Sequence, residues 1–323
     1  MKKIAIIGSI HEDGINYLKT NNFECFEIED LSKNNLIHQL KDVDGIIIRT
    51  AKLESEIINQ CTKLKIVARH GVGYDNIDIN FLNEKKIALG VTSTSNAVSV
   101  AEQVISFFLY LAKRIDKSDH LVKKGNFDQK HLLPNFFEMY QKKILILGFG
   151  RIGQAVAKRC LGFESEVLVY DPFVQKEIIE NNSCKKIDFK EGIKIADFIT
   201  IHMPLNKDTM GLIKKDEFII MKENCILVNT ARGGIVNETD LLWALKNEKI
   251  RGAGLDVFKE EPPLKSSPLF QLDNIVLSPH NAALTLECRK RMAVESAENI
   301  VNFLVNKSEL NYNNIVNKEN LNL

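Results

Sequence analysis

One stretch governs what this chain can fold into. Residues 143–147, Lys-Ile-Leu-Ile-Leu, form a short apolar run that leads straight into Gly148-x-Gly150-x-x-Gly153, and a helix-compatible segment, Gln154 to Leu161, follows at once. A second apolar run, Val167–Tyr170, ends on Asp171. A glycine triplet alone is weak, because glycine-rich turns are common, and an ordinary βαβ turn without a ligand is the plain alternative. Here strand, triplet, helix, strand and acid come in the order that a dinucleotide-binding unit requires. The first glycine permits the tight turn, the second lets the backbone approach a pyrophosphate, and the third lets helix pack on strand. The helix N-terminus then offers unpaired N–H groups and a positive dipole end to phosphates. Asp171 is placed to accept hydrogen bonds from the adenosine ribose and to repel a 2′-phosphate, which favours NAD over NADP.

Composition removes several other classes. At 323 residues the chain has room for two domains. A formal net charge of +1 leaves no nucleic-acid footprint. No apolar run approaches the about 20 residues that cross a bilayer, so no membrane partner is expected. The opening Met1-Lys-Lys-Ile-Ala-Ile-Ile-Gly8 looks superficially like a signal peptide, but polar Ser9 to Asp13 follow within one strand length, and it reads as the first strand. The six cysteines, Cys25, Cys61, Cys160, Cys184, Cys225 and Cys288, show no CxxC and no metal-ligand spacing with histidine. No metal site is expected, and the cysteines suit a reducing cytoplasm. The richness in asparagine reads as composition, not function.

Short apolar runs alternate with helical segments along the whole chain, which argues an α/β fold with parallel sheets covered by helices. Expected strands before the fingerprint are residues 3–7, 23–28, 45–49, 65–68 and 87–91, with amphipathic segments at 31–40 and 54–60 between them. A long helix is expected over 99–124, further strands at 198–202, 226–229, 253–257 and 275–277, and a final helix over about 285–305. The tail after Lys307 is polar and Asn-rich, and its end is expected to be poorly ordered. Because the fingerprint lies mid-chain, a separate N-terminal domain precedes it, able to supply the other wall of a cleft.

Three charged residues downstream sit just past apolar strands: Arg232 in Asn229-Thr-Ala-Arg-Gly-Gly234, Glu261 in Leu255-Asp-Val-Phe-Lys-Glu-Glu-Pro262, and His280 in Leu277-Ser-Pro-His-Asn-Ala-Ala283. Ligands of open α/β sheets bind beyond the carboxyl ends of strands. Oxidising a secondary alcohol needs a base for the hydroxyl proton while hydride leaves carbon, and His280 can serve. Glu261 could fix the tautomer of His280, and Arg232 could grip a substrate carboxylate through its forked donors. Singly, each has a plain reading as a cap, a solvated acid or a loop ligand; jointly, after the fingerprint, they point to catalysis.

With these motifs in view, the chain resembles the D-isomer-specific 2-hydroxyacid dehydrogenases, particularly the D-3-phosphoglycerate dehydrogenase branch. The resemblance covers nearly the whole chain and rests on residues 69–78 (Arg-His-Gly-Val-Gly-Tyr-Asp-Asn-Ile-Asp), 96–102, the fingerprint, His202-Met-Pro-Leu205 with Thr209, 229–234, Gly254-Leu-Asp-Val-Phe258 and Ser278-Pro-His280. It implies two Rossmann-like or flavodoxin-like domains with parallel sheets and a cleft between them. The discontinuous substrate domain would comprise 1–98 and 284–323, and the NAD-binding domain 99–283. It implies Arg232, Glu261 and His280 as the catalytic set, Glu261 being chosen over Glu260 because it directly precedes Pro262. For NAD it implies Gly148, Gly150, Arg151, Ile152, Gly153, Asp171, His202, Met203, Pro204, Thr209, Thr230, Ala231, Arg232, Asp256 and His280, with backbone N–H groups of Arg151 and Ile152 on the pyrophosphate and Asp256 on the carboxamide. Backbone N–H groups around Gly71, Val72 and Gly73 would take the substrate carboxylate. A homodimer using the helix near Ser99 is implied as well.

For the substrate, a small 2-hydroxy or 2-keto acid, Arg49 and Arg69 match positions that line the substrate phosphate in phosphoglycerate dehydrogenases, which favours 3-phosphoglycerate and serine biosynthesis. Either Arg could instead make a structural ion pair. His70, Tyr74 and residues 281–285 depart from the commonest forms of that branch and leave hydroxypyruvate, glyoxylate or another 2-keto acid open. The short length after the last helix implies a form without a carboxy-terminal regulatory domain. The aromatic replacement that marks D-lactate relatives is absent. An NAD(H)-sensing protein like the corepressors that share this fold is the rival from another class.

Overall fold

The structure is a computed structural model that describes all residues 1–323, and the chain divides into two compact units, Met1–Asn96 with Leu284–Leu323, and Ala97–Ala283. The first unit is built on five parallel strands, β1 (Lys2–Ile7), β2 (Phe23–Ile28), β3 (Gly45–Ile48), β4 (Ile66–Arg69) and β5 (Ala88–Val91), in the order β2-β1-β3-β4-β5. The inner strands β1, β3 and β4 read as near-continuous Ile, Val and Ala runs because both faces are covered, whereas the edge strand β2, Phe-Glu-Cys-Phe-Glu-Ile, is only partly buried. On one face lie α1 (Glu12–Thr20) and the C-terminal helix Leu286–Leu304; on the other lie α2 (Lys33–Gln39), α3 (Ser55–Ile58) and α4 (Ile79–Glu84). The order reverses between β1 and β3, so ligands of this unit are expected beyond the carboxyl ends of those strands.

The second unit opens with α5 (Ala97–Lys113) and α6 (Ile115–Lys123). It continues through β6 (Lys143–Leu147), α7 (Arg151–Gly162), β7 (Glu166–Tyr170), α8 (Lys176–Glu180), β8 (Lys185–Lys186), α9 (Phe189–Ile195) and β9 (Phe198–Ile201). It ends with α10 (Lys215–Ile220), β10 (Ile226–Asn229), α11 (Glu238–Lys246), β11 (Gly252–Leu255) and β12 (Ile275–Leu277). The seven strands are all parallel, in the order β8-β7-β6-β9-β10-β11-β12, and the switch point falls between β6 and β9. One face of the sheet is covered by α5 and α7 and the other by α9, α10 and α11. The fold is therefore α/β with two Rossmann-like parallel sheets. The last helix, α12 (Leu286–Leu304), begins at Thr285, whose Oγ1 accepts from the Cys288 N–H at 3.2 Å.

Two expectations need correction. The helix expected over 99–124 is two helices, because Arg114 adopts a left-handed conformation at φ +45° and breaks the hydrogen-bond ladder between α5 and α6. The tail after Lys307 is not loose. Leu310 and Ile315 are buried, Ile315 pairs antiparallel with Gly90, and Asn317 Oδ1 accepts from Leu89 N–H at 2.9 Å while its Nδ2 donates to Ile87 O at 2.9 Å. The tail thus satisfies the open edge of β5, which would otherwise expose unpaired backbone groups. Its asparagines, read as mere composition, supply the side-chain bonds that hold it there. No helix is long and apolar enough to cross a membrane.

Candidate active site

Six loops at the carboxyl edge of the second unit's sheet carry most of the candidate residues. The loop after β6 is the glycine fingerprint. Gly148 has φ +96°, and a Cβ there would stand 2.7 Å from the His202 carbonyl oxygen. A Cβ on Gly153 would stand 2.2 Å from Gly148 O, so the helix could not reach the turn with any larger residue. Gly150 differs: nothing lies within 4 Å of the position its Cβ would take. Gly150 is also the N-cap of α7, with no side chain bonded to the opening N–H groups at Arg151 and Ile152. Protein packing accounts for the first and third glycines, and the cradle beside the second is open.

Asp171, at the end of β7, ties this loop down. Its Oδ2 accepts from Phe149 N–H at 2.8 Å, and its Oδ1 accepts from the N–H groups of Phe173 at 2.9 Å and Val174 at 3.2 Å. Three backbone bonds fix the carboxylate beside the fingerprint and leave capacity for a further donor.

After β9 come His202, Met203 and Pro204. The His202 ring contacts Thr200 Oγ1 through Nε2 at 2.9 Å, and its buried Nδ1 has no partner. Burial pushes the His202 pKa down to about 3, so the ring is neutral and unsuited to proton transfer near neutral pH. Thr209 Oγ1 donates to Pro204 O at 2.6 Å and closes the same loop. After β10, Thr230 is buried and its Oγ1 also lacks a partner. Two orphaned polar atoms and an open glycine cradle on neighbouring strands are what a polar ligand of dinucleotide type would satisfy.

Arg232 lies in a loop pinned by Asn229, whose Oδ1 accepts from Ala231 N–H at 3.0 Å and whose Nδ2 donates to Arg232 O at 2.9 Å. The guanidinium donates through Nη1 to Ala231 O at 2.7 Å. This loop runs hard against the one after β11: a Cβ on Gly233 would stand 1.8 Å from Phe258 O. That close approach brings the Arg232 and Glu261 loops together.

His280 and Glu261 form a pair. Glu261 Oε2 lies 2.7 Å from His280 Nδ1, and Glu261 Oε1 accepts from Phe258 N–H at 3.0 Å. The acid is held by the backbone and holds the ring in turn, and the imidazole side chain remains 51% exposed, with Nε2 as its other edge. His280 itself has φ +51°, a conformation that costs roughly 1–2 kcal/mol for a residue with a side chain. Asp256, 1% exposed, offsets that strain. Its carbonyl accepts from His280 N–H at 2.8 Å, and its carboxylate accepts from Ser278 Oγ, from Asn281 N–H at 2.9 Å and from Ala282 N–H at 3.0 Å. Burial pushes the Asp256 pKa up against these bonds. Asp256 was expected to face a carboxamide; in the structure its oxygens brace the loop that presents His280. Ser278 and Asn229 were given no role from sequence, although both sit inside the quoted motifs. Their bonds depend on loop geometry that spacing does not reveal.

The remaining candidates belong to the first unit. Arg49 directly follows β3, and its Nη1 donates to Ser9 O at 3.3 Å. Arg69 ends β4 and donates to His70 O. Gly71 has φ +142°, and Val72 and Gly73 continue the same loop.

Comparison with known proteins defines the class. Residues 105–282 match the family model described as D-isomer specific 2-hydroxyacid dehydrogenase, NAD binding domain. The chain belongs to the D-isomer specific 2-hydroxyacid dehydrogenase family, and its cofactor is NAD. Among its relatives, the D-3-phosphoglycerate dehydrogenase of Archaeoglobus fulgidus is 40% identical over 93% of this chain, and the match spans 57% of that relative's length. The glyoxylate reductase of Pyrococcus furiosus is 36% identical over 93% of this chain and 92% of its own. Among solved structures, the D-lactate dehydrogenase of Aquifex aeolicus complexed with NAD and lactic acid aligns with a TM-score of 0.84, at 28% identity over 97% of this chain and 98% of its own. The chain therefore spans little more than half the length of the phosphoglycerate dehydrogenase relative and nearly all of the glyoxylate reductase.

Proposed function

We propose that this protein is an NAD-dependent D-2-hydroxyacid dehydrogenase acting on a small 2-hydroxy or 2-keto acid, with 3-phosphoglycerate and 3-phosphohydroxypyruvate as the favoured pair. The observation that carries the reading is the Glu261–His280 pair, 2.7 Å apart on the sheet edge that bears the fingerprint. Bound NAD would accept hydride from the alcohol carbon, or NADH would return it to the keto carbon. In oxidation, His280 takes the hydroxyl proton on Nε2 while Glu261 stabilises the resulting imidazolium; in reduction, the same nitrogen returns the proton. Arg232 grips the carboxylate and polarises the reacting oxygen. For the cofactor, Gly148, Gly150 and Gly153 with the N–H groups of Arg151 and Ile152 take the pyrophosphate, and Asp171 takes the ribose. His202, Met203, Pro204, Thr209, Thr230 and Ala231 line it, and Asp256 faces the carboxamide while bracing His280. Gly71, Val72 and Gly73 offer backbone donors to the carboxylate, and Arg49 and Arg69 are the groups for a distal phosphate.

A second reading, glyoxylate or hydroxypyruvate reductase, is favoured by the near full-length match to a glyoxylate reductase. Initial rates with NADH over a panel of 2-keto acids separate the two by kcat/KM. Tight NADH binding without turnover on any acid would instead favour an NAD(H) sensor.

A homodimer in the cytosol completes the proposal. Neither α6 nor the 3-10 turn Phe127–Leu132 buries a residue, yet both carry exposed apolar side chains, Ile115, Val122, Phe127 and Leu132. An apolar surface of this kind suits a partner subunit. All six cysteines are unpaired, as a reducing compartment requires.

A further inference from the structure

At the carboxyl edge of the first unit, His70 sits beside Arg49 and Arg69, and the assignments above give it no role. Arg49 and Arg69 leave adjacent strands, β3 and β4, at the same edge. His70 follows Arg69 and is 5% exposed, and its N–H donates to Ile48 O at 2.9 Å, which fixes it to both strands. The ring's Nε2 is buried and has no hydrogen-bond partner. The charged groups acting on the ring are both cations, Arg49 from the end of β3 and Arg69 from β4, while backbone groups of His70 itself and of Arg289 on α12 face it as hydrogen-bonding partners. Burial and the two guanidiniums hold the ring's pKa down to about 4, so it is neutral. A buried imidazole nitrogen left unpaired under two positive charges is a costly arrangement for stability alone.

We infer that His70 is a specificity-determining residue, which together with Arg49 and Arg69 selects 2-keto acids that carry a second, distal oxyanion. The inference rests on the dehydrogenase reading. Burial is the larger cause of the ring's neutrality; an oxyanion held by the two forked guanidiniums cancels the cationic contribution and adds a negative charge that favours the protonated ring. A proton on the imidazole then becomes favourable, and the orphaned nitrogen becomes a third donor. Phosphate monoesters and carboxylates share this chemistry. Proton uptake on binding makes affinity for such acids rise as pH falls, over the range above the free ring's pKa. Glyoxylate has no distal group and gains nothing from the ring.

The test measures kcat and KM for 3-phosphohydroxypyruvate, 2-ketoglutarate and glyoxylate at pH 6, 7 and 8, in wild type, His70→Ala and His70→Gln. Loss of a hydrogen bond to a charged group is worth roughly 10- to 100-fold. The expected result is a KM raised at least about tenfold for one or both distal-anion acids in His70→Ala, with the glyoxylate KM little changed. The wild-type KM for that acid should climb with pH, and the climb should vanish in both variants. His70→Gln, which keeps a neutral donor, should recover part of the KM without the pH dependence. Whichever acid shows the larger effect identifies the anion. Equal changes for all three acids, or no change, overturn the inference. Calorimetric titration of 3-phosphoglycerate and of 2-ketoglutarate into the three proteins reads the same contact without turnover: weaker binding of either by His70→Ala supports it, and equal binding of both overturns it. If wild type oxidises NADH with none of the acids, the dehydrogenase reading fails and the calorimetry still decides the role of His70.

Discussion

The carboxyl edges of the two sheets are built on opposite electrostatic plans. In the second unit nearly every charged candidate already has its partners. Asp171 holds three backbone N–H groups, Asp256 braces the His280 loop, and Glu261 bridges Phe258 N–H and the imidazole. In the first unit two guanidiniums flank a neutral histidine whose Nε2 is unpaired. The difference teaches where reorganisation is left to the substrate. Catalysis gains when donors and bases are oriented before reaction, because nothing must rearrange at the barrier. Selectivity gains when a site is unbalanced until the right charge arrives, because the wrong substrate then leaves buried polar groups unpaired.

The largest way to break this contrast is to remove the proposed base. His280→Ala should lower turnover by roughly 100- to 10,000-fold while NADH still binds, read as kcat beside a fluorescence titration. Unchanged turnover removes His280 from the chemistry.

Next comes a pair of glycines in one turn. Gly153→Ala drives a Cβ to 2.2 Å from Gly148 O and should destabilise the protein by about 1–3 kcal/mol, read as a lowered unfolding midpoint. Gly150→Ala meets no protein atom within 4 Å and should leave the midpoint unchanged while weakening NADH. If both act alike on stability, the open cradle is not a ligand's space.

A smaller effect comes from acid. The folded pKa values of His70, about 4, and His202, about 3, lie below the ordinary histidine value, so the unfolded chain takes up protons first. Their stabilising contribution is full above the ordinary value and is lost as pH falls through it towards the folded values. Between pH 7 and 5 each should cost about 2 kcal/mol. His70→Gln and His202→Gln should each flatten the acid limb of a denaturant-midpoint against pH plot. A steep limb in both variants would assign the loss to other groups.

The smallest expected effect is on cofactor choice. Asp171→Ala should weaken NADH more than NADPH, because the carboxylate favours a ribose hydroxyl and repels a 2′-phosphate. Equal weakening would leave Asp171 only its three backbone bonds.

The sequence made the second unit's edge more legible than the first's. Apolar runs such as Ile226–Asn229 and Ile275–Leu277 end where the strands end, and the fingerprint needs no tertiary knowledge to be read. What stayed hidden has physical reasons. The break at Arg114 carries no glycine or proline to announce it. The two-residue strand β8 is too short for any alternation. Asp256 lies in a motif, yet its bonds to Asn281 and Ala282 depend on a loop 25 residues away. The buried roles of Asn314 and Asn317 follow from the tail crossing β5, which polarity alone argued against. The solitude of His70 Nε2 is visible only once burial is known.

The most direct measurement is an initial-rate assay of NADH oxidation with 3-phosphohydroxypyruvate and glyoxylate, run on wild type and His280→Ala. Turnover by wild type with at least one acid, abolished in the variant while NADH binding persists, is the predicted result. NADH bound tightly by both proteins, with no oxidation by either acid, would contradict it.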